Sequence, residues 1–420
     1  MTDRDALVRA ICEFPNDDTP RLIYADFLEE NGEAERAAFV RAQIEAARVP
    51  AWEPFAVYCR HRKTEWNNEG KPFRDSLPEL PPGMGVEWHS QAFHRGLGWR
   101  VKVSSLHGWN QIARQLYEVA PIGELDLNPP SILDDWKAFA KSETIRHLRV
   151  VHLDGPSPVE AIRALCDSPH ATGIREIHFH RASSPGLPEL IEDLLRTPLG
   201  RGLKGLHFRV GFESLDHLID ALAGAETTRL ERLSLQTMGM TPALLDRLFQ
   251  SRLTSELQVF EVSNNRLGMD AERVYTNWFE RLAPALHTLR VSNAELDRTA
   301  IEALANCHQA DKLKCLDLSY NVQIKYYHRL YDSVADIRLL SLRGCMLTSE
   351  GLMHLTNTPA WQNLVSLDLR HTQLLKQSVQ HLLAAPVPPD LTTILLNVTT
   401  RQPTLAELVA HFGERLIMRK

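Results

Sequence analysis

The chain has 420 residues, enough for a large buried core and long for one ordinary compact domain. Apolar residues make up 44% and charged residues 24%, a balance that excludes a wholly disordered chain. The net charge of −6 gives no general attraction to nucleic acid, and no apolar run is long enough for a signal peptide or a transmembrane helix. We therefore expect a cytoplasmic protein that binds neither nucleic acid nor membrane.

Residues 1–50 form an acidic head with the pattern of three helices. Thr2 and Asp5 have the spacing of a capping box at the start of the first helix, and Asn31-Gly32 closes the second. The head carries 11 acidic and 6 basic residues. We interpret its carboxylates as a solvated helix face, with a catalytic or cation-binding role as the alternative. They are Asp17, Asp18, Asp26, Glu29 and Glu30.

The head resembles a known family through two runs, DDTPRLIYADFLEENG from Asp17 to Gly32 and ERAAFVRAQ from Glu35 to Gln43. They are similar to the bacterial repeat-companion domain, a short N-terminal module beside leucine-rich or other repeats in planctomycete and myxobacterial proteins. The resemblance covers about the first 45 residues. It implies a bacterial cytosolic repeat protein and no particular chemistry.

Residues 51–95 read as an irregular connector containing several prolines and Trp52, Trp66 and Trp88. We expect these tryptophans to pack against the first repeats and to cap their apolar core. A ligand cage built from the same aromatic rings is the alternative.

From residue 96 to residue 420 a leucine-rich repeat recurs. Its clearest copies run from Leu257 to Asn265 and from Leu313 to Asn321, with the spacing L-x-x-L-x-L-x-x-N. The core markers of the successive strands are spaced by 23 to 29 residues, which leaves room for a helix after each strand. We predict them at Val101, Leu125, Leu148, Ile177, Leu206, Leu233, Phe260, Leu289, Leu316, Leu340, Leu367 and Ile394.

These repeats predict the α/β class and a leucine-rich-repeat solenoid, a horseshoe of about twelve strand–helix turns with a parallel concave sheet. The pattern resembles the ribonuclease-inhibitor-like subtype. Asn265 and Asn321 keep the ladder asparagine that satisfies backbone groups after the strand, and Cys345 and Thr372 are polar replacements. The segment from Leu405 to Leu416 is predicted to be a C-terminal helical cap.

The concave face is the predicted site, because alternate residues of each strand point to it. Neighbouring strands then gather one basic and imidazole-rich patch. Its members are His147, Arg149, His178, His180, His207, Arg209 and Arg232.

Three interpretations of this patch are open. It docks a partner protein, with an acidic segment of the partner accepting hydrogen bonds from Arg and His; it is a solvated face without a ligand; or His178, His180 and His207 bind a metal. If the histidines titrate near neutrality, docking should weaken as pH rises through 6 to 7.

Motifs for catalysis or nucleotide binding do not occur in the sequence: it has no H-E-x-x-H, no G-x-S-x-G and no P-loop. The six cysteines form no C-x-x-C pair, so reduced thiols are favoured over a disulfide or metal framework. We therefore predict a non-enzymatic scaffold without a cofactor that binds another protein. A metal-dependent enzyme using the histidines is the alternative, and binding by the acidic head is a third possibility; the oligomeric state is left open.

Overall fold

The structure is a computed structural model that describes residues 2–67, 71–130, 132–154, 158–180, 186–209, 215–225, 229–268, 279–324, 327–397 and 405–419. The chain divides into two compact units. One comprises residues 1–51 and 59–213, and the other comprises residues 52–58 and 214–420. The predicted division into a head (1–50), a connector (51–95) and repeats (96–420) was based on sequence patterns, and it stays a prediction.

The head is helical, as predicted. Its helices are α1 (Asp3–Glu13), α2 (Thr19–Glu30) and α3 (Ala34–Arg48). The capping box is confirmed: the Thr2 side chain accepts a hydrogen bond from the backbone of Asp5, and the Asp5 side chain accepts one from the backbone of Thr2.

The head shares its core with the residues that lead into the repeats. Leu97 is buried together with Ile44 and the other apolar residues of α1, α2 and α3. Arg36 is also buried there; its guanidinium lies 5.1–5.3 Å from the centres of three phenylalanine rings and donates to the carbonyl of Gly96 at 2.8 Å. The head is therefore packed onto the beginning of the repeats.

The remainder of the first unit consists of strands that alternate with helices along the chain. The strands are β1 (Val86–Trp88), β2 (Phe93–His94), β3 (Leu97–Gly98), β4 (Arg100–Val103), β5 (Glu124–Leu127), β6 (Val150–Leu153), β7 (Glu176–Phe179) and β8 (Gly205–Arg209). The helices are α4 (Pro54–Asn67), which begins in the second unit, α5 (Lys71–Arg74), α6 (Leu106–Leu116), α7 (Leu133–Lys141), α8 (Pro158–Asp167), α9 (Leu187–Arg196) and α10 (Pro198–Gly202).

Strands β4 to β8 pair in parallel and in sequence order, while β1 pairs antiparallel with β4. Trp88 of β1 thus covers the first repeat, as predicted, and its indole N–H donates to the carbonyl of Pro78 at 2.9 Å. One column of side chains along this sheet is fully buried. It consists of Val101, Leu125, Val151, Ile177 and Leu206.

The second unit repeats the same plan. Its strands β9 to β16 pair in parallel in chain order: Arg232–Gln236, Val259–Glu261, Thr288–Arg290, Cys315–Asp317, Leu339–Ser341, Ser366–Asp368, Thr393–Asn397 and Leu416–Arg419. Its helices α11 to α18 are Leu215–Ala223, Pro242–Phe249, Arg298–Asn306, His328–Ser333, Ser349–Thr356, Pro359–Gln362, Lys376–Ala384 and Leu405–Phe412. The predicted leucine-rich-repeat architecture is confirmed.

The ladder asparagine has the role expected of it. The Asn265 amide oxygen accepts from the backbone N–H groups of Met238 and Met240 at 3.0 and 2.9 Å, while its nitrogen donates to the carbonyl of Leu235 at 2.6 Å. The replacements keep the donor: Cys345 Sγ and Thr372 Oγ1 each donate to a carbonyl of the preceding repeat, at 3.2 and 2.9 Å. Asparagine therefore joins two adjacent repeats through both halves of its amide.

Two predictions for the ends of the repeats need correction. Trp52 was predicted to pack on the first repeats, but it belongs to the second unit, where its ring lies 4.3 Å from that of His287. The last helix is followed by β16, a strand that the sequence analysis missed. Trp66 lies outside the residues whose side chains are described. Among the described residues, no helix combines the length and apolarity required to cross a bilayer.

Candidate functional site

The candidate site is the open face of the first unit's sheet, defined as the side on which the residues alternating with the buried column lie. Register places Lys102, Asp126, His152, His178 and His207 side by side on strands β4 to β8. A second row, two residues earlier in each strand, contains Arg100, Glu124, Val150, Glu176 and Gly205. Neighbours in each row are about 4.8 Å apart, close enough for direct contact.

His152 was missed by the sequence analysis because the core marker of its repeat was placed wrongly. Leu148 was predicted to align with Ile177, but Val151 does so, three residues later. The segment HLRVVHL offers two alternations of apolar and polar residues, and both look like a strand. Pairing with β7 selects the alternation that buries Val151 and Leu153, which puts His152 on the open face.

Four imidazole rings form the centre of this face. The ring centres of His152 and His178 are 4.2 Å apart, and those of His178 and His207 are 3.9 Å apart with planes inclined by only 4°. His180 lies beside them, with its Nε2 atom 3.0 Å from Nδ1 of His152. The parallel register of β6, β7 and β8 therefore stacks these rings without any turn or loop being required.

Carboxylates from the second row reach the imidazoles. Glu124 Oε1 lies 2.7 Å from Nε2 of His152, and Glu176 Oε2 lies 3.2 Å from Nε2 of His207 and 3.7 Å from Nε2 of His178. The predicted patch took His147 and Arg232 from the position directly before a core marker, but it left out Glu124 and Glu176 at the same position. Both glutamates directly precede their markers, so the alternation rule could have found them.

Arg100 neutralises the acidic end of the face. It donates to Asp126 through Nη2 at 2.8 Å and through Nε at 3.1 Å, and its Nη1 atom lies 3.1 Å from Glu124. Such a bidentate arginine–carboxylate pair has a defined geometry. Lys102 and Arg209 are exposed at the two outer strands.

Burial sets the protonation of the central histidine. It lowers the pKa of His178 to about 3, with the neighbouring His207 and His152 lowering it further and Glu176 opposing them. Burial is also the main cause that lowers the pKa of His180 and of His89. The expected titration between pH 6 and 7 is therefore wrong for His178, which is neutral throughout that range.

His147 and Arg149 do not lie on the open face. His147 ends a 3-10 turn, and its ring centre is 4.7 Å from that of Tyr117. The Nη1 atom of Arg149 donates to the carbonyls of Arg146 and Leu148 at 3.0 Å and of Gly173 at 3.3 Å. Both residues were predicted to line the patch; they instead hold the turns that precede the strands.

The other predicted residues are divided between the units. His178, His180, His207 and Arg209 lie together in the first unit, and Arg209 helps to lower the pKa of His180. Arg232 is the first residue of β9 in the second unit, where it is in register with Val259 of β10.

Two groups of side chains in the described part of the chain have the composition and spacing to hold a metal ion. The first is Glu176, His178 and His207, and the second is His152, His178 and His180; within each group the ligand atoms lie within 4.8 Å of one another. Both groups were partly anticipated, because the predicted trio of His178, His180 and His207 shares two histidines with each of them. The carboxylate of Glu176 was not anticipated.

Comparison with known proteins shows the fold and nothing more specific. No family model matches the chain, and no curated protein does. The crystal structure of the yeast Rad7 and Elc1 complex contains a chain with a TM-score of 0.52 and 16% identity, covering 93% of this chain and 87% of that one. At such identity the similarity concerns the fold alone.

Two further structures are more distant. The leucine-rich-repeat protein LegL7 of Legionella pneumophila has a TM-score of 0.45 and 15% identity, covering 69% of this chain and 97% of its own. The TLR13–ssRNA13 complex gives a TM-score of 0.40 and 15% identity over 72% of this chain and 39% of that one. Neither carries an argument about function.

Proposed function

We propose that the chain is a non-enzymatic interaction protein that binds another protein on the open face of the first unit. The observation that supports this most directly is a polar surface carried by consecutive strands β4 to β8 and reached by solvent. Its apolar alternates are buried, so the polar residues are not needed for the core. Leucine-rich repeats present such a sheet as a broad binding surface.

The charges of the face favour an extended partner segment with acidic residues at two points. Arg100 is engaged by Asp126 and Glu124, while Lys102 and Arg209 are exposed at opposite sides of the face. Four strand spacings and a displacement of two residues along the strand separate these two cations, about 20 Å in all, which an extended chain spans in about six residues. Carboxylates of the partner would pair with both cations.

The histidines between the two cations would contact the middle of the partner segment. His178, His180 and His207 are partly exposed and offer ring nitrogens for hydrogen bonds. Arg232 belongs to the second unit, where its role in partner binding is a separate proposal. We omit His147 and Arg149, because their side chains lie against the turns that precede the strands.

We propose in addition that residues 1–50 are a repeat-companion domain and that the protein is cytoplasmic and bacterial. The two sequence runs from Asp17 to Gly32 and from Glu35 to Gln43 support the first part of this proposal. Rad7 is found in a complex with Elc1, which is consistent with a protein partner for a chain of this fold.

The experiment is selection of displayed random peptides on the immobilised full-length chain. Wild type should enrich peptides with two acidic residues about six positions apart. The double variant Lys102→Glu with Arg209→Glu should enrich none of these, whereas Arg163→Glu, on an exposed position of helix α8, should behave as wild type. Equal enrichment by both variants, or no enrichment by wild type, would refute the proposed surface.

A further inference from the structure

We propose that Glu176, His178 and His207 form a binding site for one divalent first-row transition-metal ion of the Zn²⁺ type. The inference is independent of the proposed protein partner and uses only side chains on strands β7 and β8. Two imidazoles and one carboxylate form a ligand set that zinc, cobalt and nickel accept. No step of catalysis is attached to it.

The spacing of the ligand atoms matches such an ion. Zinc bonds to histidine nitrogen and carboxylate oxygen are about 2.0–2.1 Å long, so two ligands of a tetrahedral ion are about 3.3 Å apart. Glu176 Oε2 lies 3.2 Å from Nε2 of His207 and 3.7 Å from Nε2 of His178. The carboxylate oxygen is thus already at the required distance from the His207 nitrogen, and the His178 nitrogen must approach it by about 0.4 Å.

Binding requires the two rings to turn. The planes of the His178 and His207 rings are within 4° of parallel and their centres are 3.9 Å apart, so the nitrogen lone pairs lie in two parallel planes that do not meet. A shared ion needs those lone pairs to converge. Rotation about the Cβ–Cγ bond of histidine is broad and costs little, and the side chains of Glu176, His178 and His207 retain 20–22% exposure on the solvent side. We therefore expect the stack to open when the ion enters.

The alternative group, His152, His178 and His180, is the weaker one. Both nitrogens of His152 are occupied, Nε2 by Glu124 at 2.7 Å and Nδ1 by His180 at 3.0 Å. An ion would have to break one of these contacts, and the group supplies no carboxylate to offset the ionic charge. Glu176 supplies that charge in the proposed group.

The site would leave at least one coordination position open. Three protein ligands are one fewer than a tetrahedral ion needs, and water would fill the remaining position from the solvent side. This property separates the proposed site from a closed structural site, and it predicts that small anions or chelators reach the bound ion.

The test is metal titration of the full-length chain without a polyhistidine tag, after removal of metals with a chelator. CoCl₂ should give the visible absorption of a four-coordinate ion and saturate at one equivalent, and ZnCl₂ should displace it. Glu176→Gln and His207→Gln should each weaken the affinity by about 100-fold or more, since even outer-shell changes cost 10–100-fold. Circular dichroism establishes that each variant is folded.

Two control variants decide where the ion sits. His217→Gln, on an exposed position of helix α11, should bind as wild type does, and so should His180→Gln. Loss of binding in His180→Gln with retention in Glu176→Gln would place the ion in the alternative group and overturn the proposal. Absence of stoichiometric binding by wild type, or equal affinity in all variants, would overturn it too. None of these outcomes depends on peptide binding.

Discussion

Replacing Asn265 with alanine should strongly destabilise the second unit. The side chain is 3% exposed and joins two repeats through its amide. Its oxygen accepts from the backbone of Met238 and Met240, and its nitrogen donates to the carbonyls of Leu235, Val262 and Ser263. Alanine leaves all five backbone groups without this partner, in a place that water does not reach.

The magnitude follows from the two buried N–H groups. An unsatisfied buried donor costs about 1–3 kcal/mol, whereas a carbonyl keeps a second lone pair for other contacts. We therefore expect the free energy of unfolding to fall by about 3–5 kcal/mol. Asn321→Ala should have a similar effect, because Asn321 accepts from Ala294 and Leu296 at 3.1 Å each.

Urea denaturation followed by circular dichroism measures this loss. The matched control is Arg266→Ala, one residue further along: the Arg266 side chain is 83% exposed, and its ion pair with Glu295 is long at 3.7 Å. It should cost less than about 0.5 kcal/mol. A loss below about 1 kcal/mol for Asn265→Ala would refute the reasoning.

Two further predictions concern the first unit. Gly96→Ala should lower the free energy of unfolding by about 2–4 kcal/mol, because Gly96 has φ +86° and the new Cβ would lie 2.8 Å from the Cα of Val40. The control Gly83→Ala, at φ +79° with no atom within 4 Å of the new Cβ, should lower it by only about 1 kcal/mol. Equal losses in the two variants would contradict the packing argument. His94 has its pKa lowered to about 4 by burial and then by Arg95, so its neutral form contributes stability that is fully present above its ordinary pKa of 6.5 and is lost as pH falls toward 4. As pH falls, the free energy of unfolding should therefore decrease more steeply in wild type than in His94→Gln, by up to about 1.4 kcal/mol per pH unit. Urea denaturation at a series of pH values measures this dependence, and identical pH dependence in the two proteins would contradict the prediction.

The helix caps were predictable because they depend on near neighbours in the sequence: the capping box at Thr2 and the N-cap Thr241 before Pro242 satisfy backbone groups within a few residues. The ladder asparagines bond groups 25 to 30 positions away, and they were recognised from their fixed place in the repeat. The buried strand positions followed from period-two alternation wherever only one alternation was available.

The candidate site was predictable only in part. His178, His180, His207 and Arg209 were predicted on one face because each of their strands offers a single alternation of apolar and polar residues. The prediction was wrong at β6, because the sequence there allows two alternations of buried and open positions. Pairing with β7 selects the alternation that puts His152 on the open face.

The repeat, its period and most of its buried column can be read from the sequence, because burial of alternate apolar residues is a local pattern. Three features depend on the fold as a whole: His152 joins the other imidazoles, Glu124 and Glu176 contact them, and the Arg149 side chain lies away from them. The physical reason is that contacts across a parallel sheet join residues more than twenty positions apart, and their register minimises the energy of the whole pair of strands.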